Sequence, residues 1–364
     1  PLTLQTLSGH KVATELFDLT QESEIGHIRI AKDADLLLVA PATANVIAKL
    51  AAGMADDLLT TVALATRAPI LLAPAMNVDM WENPLTQDNV RRLTERRPVY
   101  LVGPGEGFLA CKTTGPGRMA EPPDIVEAAA ALLSSHDLAG QRVLITAGPT
   151  HEALDPVRFL SNRSTGKMGF ALARAAVRRG ARVTLVAGPN ALEPPLGAEV
   201  VGVLSAHDMA EATLGHSVDA DVVIMAAAVG DYRPQEVAAH KLKKAALGDA
   251  ATLALVRTQD VLAELGRRRR EAGQPRPVLV GFAAETEKVE SAAREKRDAK
   301  GCDLVIANDV SAADAGFASD DNRVVIVGPG DETVRSGLLP KDEIAHLVLD
   351  RVLAVLGGRQ RTPA

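Results

Sequence analysis

Aromatic residues, cysteine and long apolar runs are all scarce in this sequence. Phe, Trp and Tyr make up 2% of the 364 residues, so the core must be built mainly from Ala, Val, Leu and Ile. The two cysteines, Cys111 and Cys302, cannot form a disulfide framework, which is typical of a protein from a reducing cytosol. The most apolar stretch, residues 36–52, contains Lys49 and Pro41 and does not have the pattern of a membrane span. We therefore expect a cytoplasmic protein with no membrane segment and no signal peptide.

An excess of positive charge is also missing. The formal net charge is -6 and the pI is about 5.8, so a polyanion would meet net repulsion and nucleic-acid binding is not expected. Hydrophobic residues make up 47% and charged residues 24% of the chain, a balance typical of globular proteins. A chain of 364 residues is long enough for two domains of ordinary size.

Short apolar runs alternate with alanine-rich helical patterns along the chain. Most runs are continuous in Val, Ile and Leu, which favours strands of parallel sheets that are covered on both faces. The candidate strands are Leu36–Ala40, Ile70–Ala73, Val99–Val102, Arg142–Thr146, Arg182–Val186, Asp221–Ala226, Val278–Gly281, Leu304–Ala307 and Arg323–Val327. The candidate helices are Ala44–Ala52, Ile125–Leu133, Gly169–Arg179, Ala206–Leu214, Val261–Glu271, Val289–Lys300 and Lys341–Leu356. This order predicts an α/β protein with two Rossmann-like, doubly wound domains and mostly parallel sheets.

The domain boundary is expected within Ser134–Gly140. A helical pattern ends near Leu133, polar residues follow, and Gln141 opens a new strand. The first domain is then residues 1–137 and the second is residues 139–364.

Two loops of the second domain have residues suited to anion binding. Gly148-Pro149-Thr150 follows a strand, and the Ser161–Gly169 loop leads into a helix whose first N–H groups are free for an anion. The loop is not a Walker A motif, because Met168 follows Gly166-Lys167 and the first glycine is replaced by Ser161. An ordinary capped helix start accounts for the same residues.

Charged residues follow two further strands of this domain. The carboxyl ends of parallel strands are where α/β sheets bind ligands. Asp231 could hold a metal or a ribose hydroxyl, or could cap a helix. The basic run Lys241–Lys244 could neutralise a triphosphate, or could be a solvated face. Lys296 and Lys300 share one face of a helix.

In this order, these motifs resemble bacterial phosphopantothenate–cysteine ligase across residues 140–350. The segments that carry the resemblance are Ile145–Thr150, Asp155–Arg158, Ser161–Gly169, Ala227–Arg233, Lys241–Lys244, Gly281–Thr286 and Ala307–Val310. The resemblance implies that CTP, with Mg²⁺, activates the carboxylate of 4'-phosphopantothenate as an acyl-cytidylate and releases pyrophosphate. The amine of cysteine then attacks and CMP leaves.

The resemblance also implies residue roles. Lys241 would assist formation of the acyl-cytidylate, and Asn162 and Arg158 would act on that intermediate. The implied nucleotide-binding residues are Met225, Ala226, Ala227, Asp231, Lys241, Gln259, Asp260, Val261, Leu262, Phe282, Lys296 and Lys300. Residues 259–262 would lie near the cytosine, although Gln259 stands where the family often has proline or another small residue.

The first domain has four clusters of its own. They are His27 in Gly26-His27-Ile28, which is expected to lie ahead of a helix, Pro41–Asn45 after one strand, Pro74–Trp81 after the next, and Cys111 in the Gly- and Pro-containing stretch Ala110–Met119. A surface histidine, two tight turns and a buried cysteine would be the plain structural interpretation.

From residue 1 to about 125, these clusters resemble the flavin-dependent cysteine decarboxylases, specifically phosphopantothenoylcysteine decarboxylase. The resemblance implies that FMN oxidises the cysteinyl thiol, CO₂ is lost, and the resulting enethiol is reduced and protonated. His27 would act as base or orienter, Thr43, Asn45 and Asn77 would bind flavin or the substrate carboxylate, and Cys111 would supply the proton. Thr43 and Val46 depart from the family's usual Ser and Thr.

The chain begins Pro1-Leu2-Thr3-Leu4, inside the region of resemblance. We expect the family's opening strand, Gly-rich turn and first helix, on the order of forty to fifty residues, to precede Pro1. That unit would supply the turn for the FMN phosphate, so weak FMN binding and a less stable first domain are expected of this chain.

Three other functions compete with this interpretation. An NAD(P)-dependent oxidoreductase would need a Gly-x-Gly-x-x-Gly turn after a strand, which neither domain has. A flavin-like domain with a non-catalytic, regulatory role beside an active ligase is the main alternative, although His27, Asn77 and Cys111 are all retained. A decarboxylase for peptide C-terminal cysteines would not explain the attached ligase domain.

The expected partners are small-molecule substrates and further copies of the chain. The resemblance implies a homo-oligomer with dimeric ligase halves and trimer-based flavin halves.

Overall fold

The protein forms two compact units, residues 1–134 and 135–364. The computed structural model describes residues 1–13, 26–108, 114–243, 252–285, 288–309, 319–330 and 332–360. The expected first domain ended at residue 137. The units divide three residues earlier because Asp137 pairs with Arg179, and Leu138 is fully buried in the core of the second unit. No described helix combines the length and the apolar character needed to cross a membrane.

The first unit is an α/β layer structure built on a parallel sheet. Its strands are β1 (Leu37–Ala42), β2 (Ile70–Pro74), β3 (Val99–Leu101), β4 (Gly105–Phe108) and β5 (Thr114–Arg118). Its helices are α1 (Leu2–Ser8), α2 (Gly26–Asp33), α3 (Ala44–Ala52), α4 (Leu58–Ala65), α5 (Val78–Glu82), α6 (Pro84–Arg96) and α7 (Pro122–Leu133). Strands β1, β2 and β3 pair in that order, all parallel, with Leu37 opposite Ile70.

Alternating side chains of β2 fill a core on each face of this sheet. Ile70 and Leu72 belong to a cluster with Ile47 of α3, whereas Leu71 and Ala73 belong to a second cluster with Ile125 of α7. All five residues of β2 are buried, which is the reason for its unbroken apolar sequence.

The second unit is a larger three-layer structure. Its strands are β6 (Arg142–Ala147), β7 (His151–Ala153), β8 (Phe159–Ser161), β9 (Arg182–Ala187), β10 (Glu199–Gly202), β11 (Val222–Met225), β12 (Tyr232–Pro234), β13 (Leu255–Arg257), β14 (Val278–Glu285), β15 (Leu304–Asp309), β16 (Asp321–Asn322), β17 (Val324–Val327), β18 (Thr333–Arg335) and β19 (Leu339–Pro340). Its helices are α8 (Lys167–Arg178), α9 (Ala206–His216), α10 (Val261–Ala272), α11 (Val289–Lys300) and α12 (Lys341–Gln360), with a 3₁₀ turn at Ser217–Asp219.

The main sheet of this unit has the order β10-β9-β6-β11-β14-β15-β17-β18. The pairs from β10 to β15 are parallel, and β17 and β18 add antiparallel strands at one edge. Helices α8 and α12 contribute to the core on one face, and α9, α10 and α11 contribute to the core on the other. The doubly wound, mostly parallel architecture expected from the sequence is therefore confirmed.

Two helices have the bounds predicted from the sequence, Ala44–Ala52 and Val289–Lys300. Strand β14 extends four residues beyond its predicted end because it keeps pairing with β15 as far as Glu285 opposite Asp309. The short antiparallel pairs were not predicted. They are β4–β5, β7–β8, β12–β13 and β16–β19.

Candidate active site

A cleft of about 590 Å³ opens at the carboxyl ends of β11 and β14 in the second unit. Its walls come from the ends of these two strands, from the β12–β13 hairpin, and from one face of α10 and of α11. The lining residues are Met225, Ala227, Val229, Asp231, Tyr232, Arg257, Thr258, Gln259, Asp260, Val261, Leu262, Phe282, Lys296 and Lys300. Carboxyl ends of parallel strands are the usual ligand sites of open α/β sheets.

The strand order explains why a ligand site forms here. The chain adds β9 and β10 on one side of β6 and β11, β14 and β15 on the other. Successive loops therefore leave the sheet in opposite directions and open a crevice beside β11.

The loop after β11 is fixed by hydroxyl groups of neighbouring segments. Thr146 Oγ1 accepts a hydrogen bond from Ala227 N at 3.1 Å, and Thr150 Oγ1 accepts one from Gly230 N at 2.9 Å. Thr258 Oγ1 donates to Gly230 O at 2.6 Å. Thr146 and Thr150 are fully buried, so this wall of the cleft is anchored in the protein interior.

Charged groups gather on the opposite wall of the cleft. Lys300 Nζ is paired with the Asp260 carboxylate, and Lys296 Nζ donates to Phe282 O at 2.7 Å. Burial raises the pKa of Asp260, but the hydrogen bonds from Lys300 and from Ala263 N, with the charges of both lysines, outweigh burial, and the net pKa is lowered. The carboxylate therefore stays ionised and keeps Lys300 beside the cleft.

Close packing of two helices brings Asp260 and Lys300 together. Asp260 caps the start of α10 by accepting from Ala263 N at 2.9 Å, and Lys300 ends α11. A Cβ atom added at Gly266 of α10 would stand 2.0 Å from Lys300 O. Only glycine permits this approach of the two helices.

Asn162 lies against the loop that forms the first wall. Its Nδ2 donates to Ala228 O at 2.9 Å, and the preceding Ser161 Oγ donates to Thr150 O at 2.8 Å. Gly166 is the N-cap residue of α8 and has a left-handed φ of 80°. The first turn of the helix therefore lies at the end of this loop. The Ser161–Gly169 loop is thus held next to residues 148–150 and 228–230.

Arg158 is tied to the basic segment rather than to the cleft wall. Its guanidinium donates to the Asp155 carboxylate and, through Nη2, to Leu242 O at 2.8 Å. Lys241 is exposed and is not among the residues that line the cleft. The predicted basic run continues to Lys244, which lies outside the described residues.

Ten of the residues predicted to bind the nucleotide line this one cleft, whereas Ala226 does not. Ala226 packs against the core on the α8 side of the sheet, while Met225 and Ala227 face the other side. Successive residues of an extended chain point to opposite faces, so neighbours cannot all contact one ligand. Val229, Tyr232, Arg257 and Thr258 were missed. The signal for three of them was the short β12–β13 hairpin, which apolar periodicity does not reveal.

In the first unit, two turns meet at the carboxyl edge of the sheet. Thr43 caps α3 and Asn77 caps α5, and Ala75 N donates to Ala42 O at 3.1 Å between the two turns. Thr43 and Asn45 are exposed, and Asn77 is half-buried.

His27 lies within the first turn of α2, which corrects the expectation that it precedes a helix. The helix packs against α4, and its Ala31 O accepts a hydrogen bond from Thr66 Oγ1 at 2.8 Å. The Nδ1 atom of His27 is buried and has no protein hydrogen-bond partner among the described residues.

The β4–β5 hairpin is seated on the Asn77 turn. Met76 N donates to Gly117 O at 2.9 Å, and a Cβ atom at Gly117 would stand 2.4 Å from Met76 O. Cys111, the expected proton donor, lies between these strands and outside the described residues. Elsewhere in the described chain, no three His, Cys, Asp or Glu side chains gather as a metal site.

Comparison with known proteins relates each unit to a family model. Residues 1–134 match the model described as Flavoprotein, and residues 138–356 match the DNA/pantothenate metabolism flavoprotein C-terminal domain. The crystal structure of the C-terminal domain of a coenzyme A biosynthesis bifunctional protein CoaBC superposes with a TM-score of 0.52 at 42% identity. It covers 62% of this chain and 100% of that domain. The fold and site thus define a flavoprotein domain joined to a pantothenate-metabolism domain.

Coenzyme A biosynthesis bifunctional proteins CoaBC are similar to nearly the whole chain. The protein of Bacillus subtilis is 48% identical over 359 residues, 98% of this chain and 86% of that protein. The Escherichia coli protein is 45% identical over 363 residues, 99% of this chain and 88% of that protein. The Vibrio parahaemolyticus protein is 44% identical over 352 residues, 97% of this chain and 87% of that protein.

The chain therefore belongs to the family of coenzyme A biosynthesis bifunctional proteins. It is a two-domain enzyme with a decarboxylase-type flavoprotein domain followed by a ligase-type domain. The expected bifunctional role in coenzyme A biosynthesis, as ligase and decarboxylase, is thereby confirmed.

Proposed function

We propose that the second unit couples 4'-phosphopantothenate to cysteine with CTP and Mg²⁺, and that its cleft holds the nucleotide. The observation that carries this proposal is the convergence of ten predicted residues, from four separate segments, on one cleft. Lys296 and Lys300 supply positive charge for phosphates. Gln259 and Asp260 supply polar groups for a base, and Met225, Val261 and Leu262 supply apolar contact.

Asp231 is the oxygen donor best placed to share a Mg²⁺ ion with the triphosphate. It is exposed at the cleft, and its backbone carbonyl accepts from Thr258 N at 3.0 Å. Mg²⁺ usually takes one or two protein carboxylates, with phosphate oxygens and water as its other ligands. A single acidic residue therefore fits a nucleotide-borne metal.

The carboxylate substrate needs a site beside the nucleotide, and we place it along the Ser161–Gly169 loop. The backbone N–H groups of the first turn of α8, which have no acceptor within the helix itself, point to an anion such as its phosphate. Asn162, at the start of this loop, donates to Ala228 O of the loop after β11, and we propose that the activated carboxyl lies beside it. In the first step the carboxylate oxygen bonds to the α-phosphorus of CTP and pyrophosphate leaves. In the second step the amine of cysteine bonds to the carbonyl carbon and CMP leaves.

Pyrophosphate release measures the first step directly. We expect the purified chain to form pyrophosphate from CTP only when 4'-phosphopantothenate is added, since the carboxylate is the attacking group. Equal release with ATP, or none with CTP, would contradict the nucleotide assignment. Omitting cysteine is the control, because the first step should proceed without it.

For the first unit we propose FMN-dependent decarboxylation of the ligase product. Bound FMN would supply the redox chemistry. Thr43, Asn45 and Asn77 offer hydroxyl and amide groups at one sheet edge, which suits the polar edge of a flavin ring. The Nδ1 of His27, which has no hydrogen-bond partner among the described residues, suits a group that accepts or orients a proton, and Cys111 would donate the final proton. Flavin absorbance of the chain titrated with added FMN, with CO₂ release from 4'-phosphopantothenoylcysteine measured at the same FMN concentrations, tests this proposal.

We also propose that the enzyme acts in the cytoplasm as a homo-oligomer. The β7–β8 and β12–β13 hairpins are in contact and expose Val157, Phe159, Tyr232 and Leu255. Exposed apolar side chains on adjacent hairpins favour contact with a second copy of the chain. Light scattering of the parent and of a Phe159→Ser variant would show whether the variant dissociates.

A further inference from the structure

Asp155 is a buried carboxylate with an unusually large number of donors. It is 3% exposed and lies between the β7 and β8 strands, outside the cleft lining. Its Oδ1 accepts from Val157 N at 2.8 Å and from Arg158 N at 2.9 Å. Its Oδ2 accepts from Arg158 Nε at 3.0 Å, Arg158 Nη2 at 2.6 Å and Leu242 N at 3.1 Å. One oxygen therefore shapes a local turn, and the other reaches a segment that is distant in sequence.

The distant segment carries Lys241. Leu242 is held at both of its backbone groups, because its N–H donates to Asp155 and its carbonyl accepts from Arg158 Nη2 at 2.8 Å. A second anchor lies four residues earlier, where Ala238 N donates to Leu154 O at 3.0 Å. The backbone on both sides of Lys241 is thus held by hydrogen bonds to the β7–β8 turn, at Ala238 and at Leu242.

The charge state of Asp155 suits a permanent anchor. Its hydrogen bonds from Arg158, with further bonds from Val157 N and Leu242 N, hold its pKa far below the usual value although burial opposes this. The carboxylate is therefore ionised at every pH at which the enzyme would work. A group of this kind does not exchange protons in a reaction, so its use is structural or positional.

We propose that Asp155 is a positioning residue for carboxylate activation: with Arg158 it clamps the backbone of Leu242 and so sets where the Lys241 ammonium can reach. The inference rests on the proposed ligase function and on the expected role of Lys241 in forming the acyl-cytidylate. A lysine side chain has many rotamers, and fixing its backbone narrows the volume that the ammonium samples. Removing the clamp should slow the chemical step more than it weakens CTP binding.

Asp155→Asn separates the two jobs of the carboxylate. The amide oxygen can keep the Oδ1 bonds of the turn, while the NH₂ group turns donors toward the N–H groups of Arg158 and Leu242. We expect kcat for pyrophosphate release to fall about a hundredfold, with little change in KM for CTP. We also expect faster amide hydrogen exchange at Leu242 without substrate, while Ala238 keeps its protection. Asp155→Glu, which retains the charge, should recover part of both losses.

Asp303→Asn is the matched control. Asp303 also accepts from an arginine and a distant backbone amide, Arg269 and Leu279 N, but at the amino-terminal edge of the sheet. The Asp303→Asn variant should have a lower melting temperature, with unchanged kcat for pyrophosphate release and unchanged amide hydrogen exchange at Leu242. Similar kcat losses in both variants, or unchanged kcat in Asp155→Asn, would overturn the positioning role. If the parent makes no pyrophosphate from CTP, the proposed function fails, and the exchange measurement still decides whether Asp155 holds Leu242.

Discussion

The two units hold their proposed sites in different ways. In the second unit, residues from four segments meet in a single cleft whose walls are joined by hydrogen bonds to the sheet and between helices. In the first unit, the proposed residues lie on separate turns and on α2, and backbone hydrogen bonds join the turn after β2 to the turn after β1 and to the β4–β5 hairpin. The difference teaches that the proposed ligase site is built into its framework, while the proposed flavin site depends on turn caps such as Thr43 and Asn77.

The largest expected effect separates the two activities completely. Lys241→Gln should lower pyrophosphate formation from CTP by about a hundredfold to a thousandfold, because it removes a positive charge that acts as phosphate charge develops. Decarboxylation of supplied 4'-phosphopantothenoylcysteine should not change. Equal loss of both activities would break the comparison between the units.

Asn162→Asp is the partner variant for that experiment. It should still form pyrophosphate but pass little intermediate to cysteine, because Asn162 lies beside Ala228 rather than in the basic segment. Mass spectrometry of the trapped acyl-cytidylate distinguishes the two variants. If both variants fail to release pyrophosphate, the division of roles between Lys241 and Asn162 is wrong.

Core truncations should affect the units one at a time. Ile47 of the first unit is fully buried, and Leu144 of the second is 1% exposed. Truncating either to alanine should lower the free energy of unfolding by about 2–5 kcal/mol, through lost transfer energy and the cavity left behind. Ile47→Ala should lower the temperature at which decarboxylation is lost, and Leu144→Ala that of ligation. Calorimetry of both variants would show one shared transition if the units do not unfold independently.

Removing a cleft lysine should have a smaller effect. Lys300→Gln should weaken CTP binding about tenfold, or about 1.4 kcal/mol, since one ion contact is lost. Lys49→Gln is the matched control, because Lys49 is also paired with an aspartate that caps a helix, Asp57, but in the first unit. Isothermal titration with CTP should distinguish them, and equal weakening would place the nucleotide elsewhere.

The smallest effect concerns the cysteines, one in each unit. Burial, with the nearby charge of Asp303, raises the pKa of Cys302 to about 11. Because the folded pKa lies above the ordinary thiol value of 9.0, the contribution of the protonated Cys302 to the free energy of unfolding is complete below pH 9 and is lost as the pH rises toward 11. In a Cys111→Ser variant, alkylation by iodoacetamide at pH 8 should be slow until the protein unfolds. Rapid alkylation of the folded variant would contradict the buried thiol.

The sequence predicted the parallel strands well because their apolar runs are continuous. Both faces of β2 and β6 are covered, so the burial of each strand is visible as uninterrupted Val, Ile and Leu. The edge strand β10 was missed because Glu199 and Val200 are exposed and the run is short. The short hairpins have only three or four residues a strand, too few for a periodic pattern.

Site prediction followed the same division. Residues that the sequence placed after the predicted ends of central strands, such as Asp231 and Phe282, line the cleft as their motif positions suggested. Ala226 was included with its neighbours although the chain direction turns it to the opposite face. The clamp at Asp155 could not be predicted, because its bond to Leu242 joins residues 87 positions apart.

The threonine contacts behind the cleft have a consequence for how the enzyme responds to its surroundings. The described hydrogen bonds that hold residues 227–230 come from hydroxyl, amide and carbonyl groups, so neither salt nor proton concentration should shift that wall. The facing wall relies on the partly exposed ion pair between Lys300 and Asp260, which added electrolyte screens. Raising the ionic strength should therefore weaken binding of the phosphates, while binding along the neutral wall should not change. Cytidine analogues with fewer phosphate groups should lose less affinity than CTP.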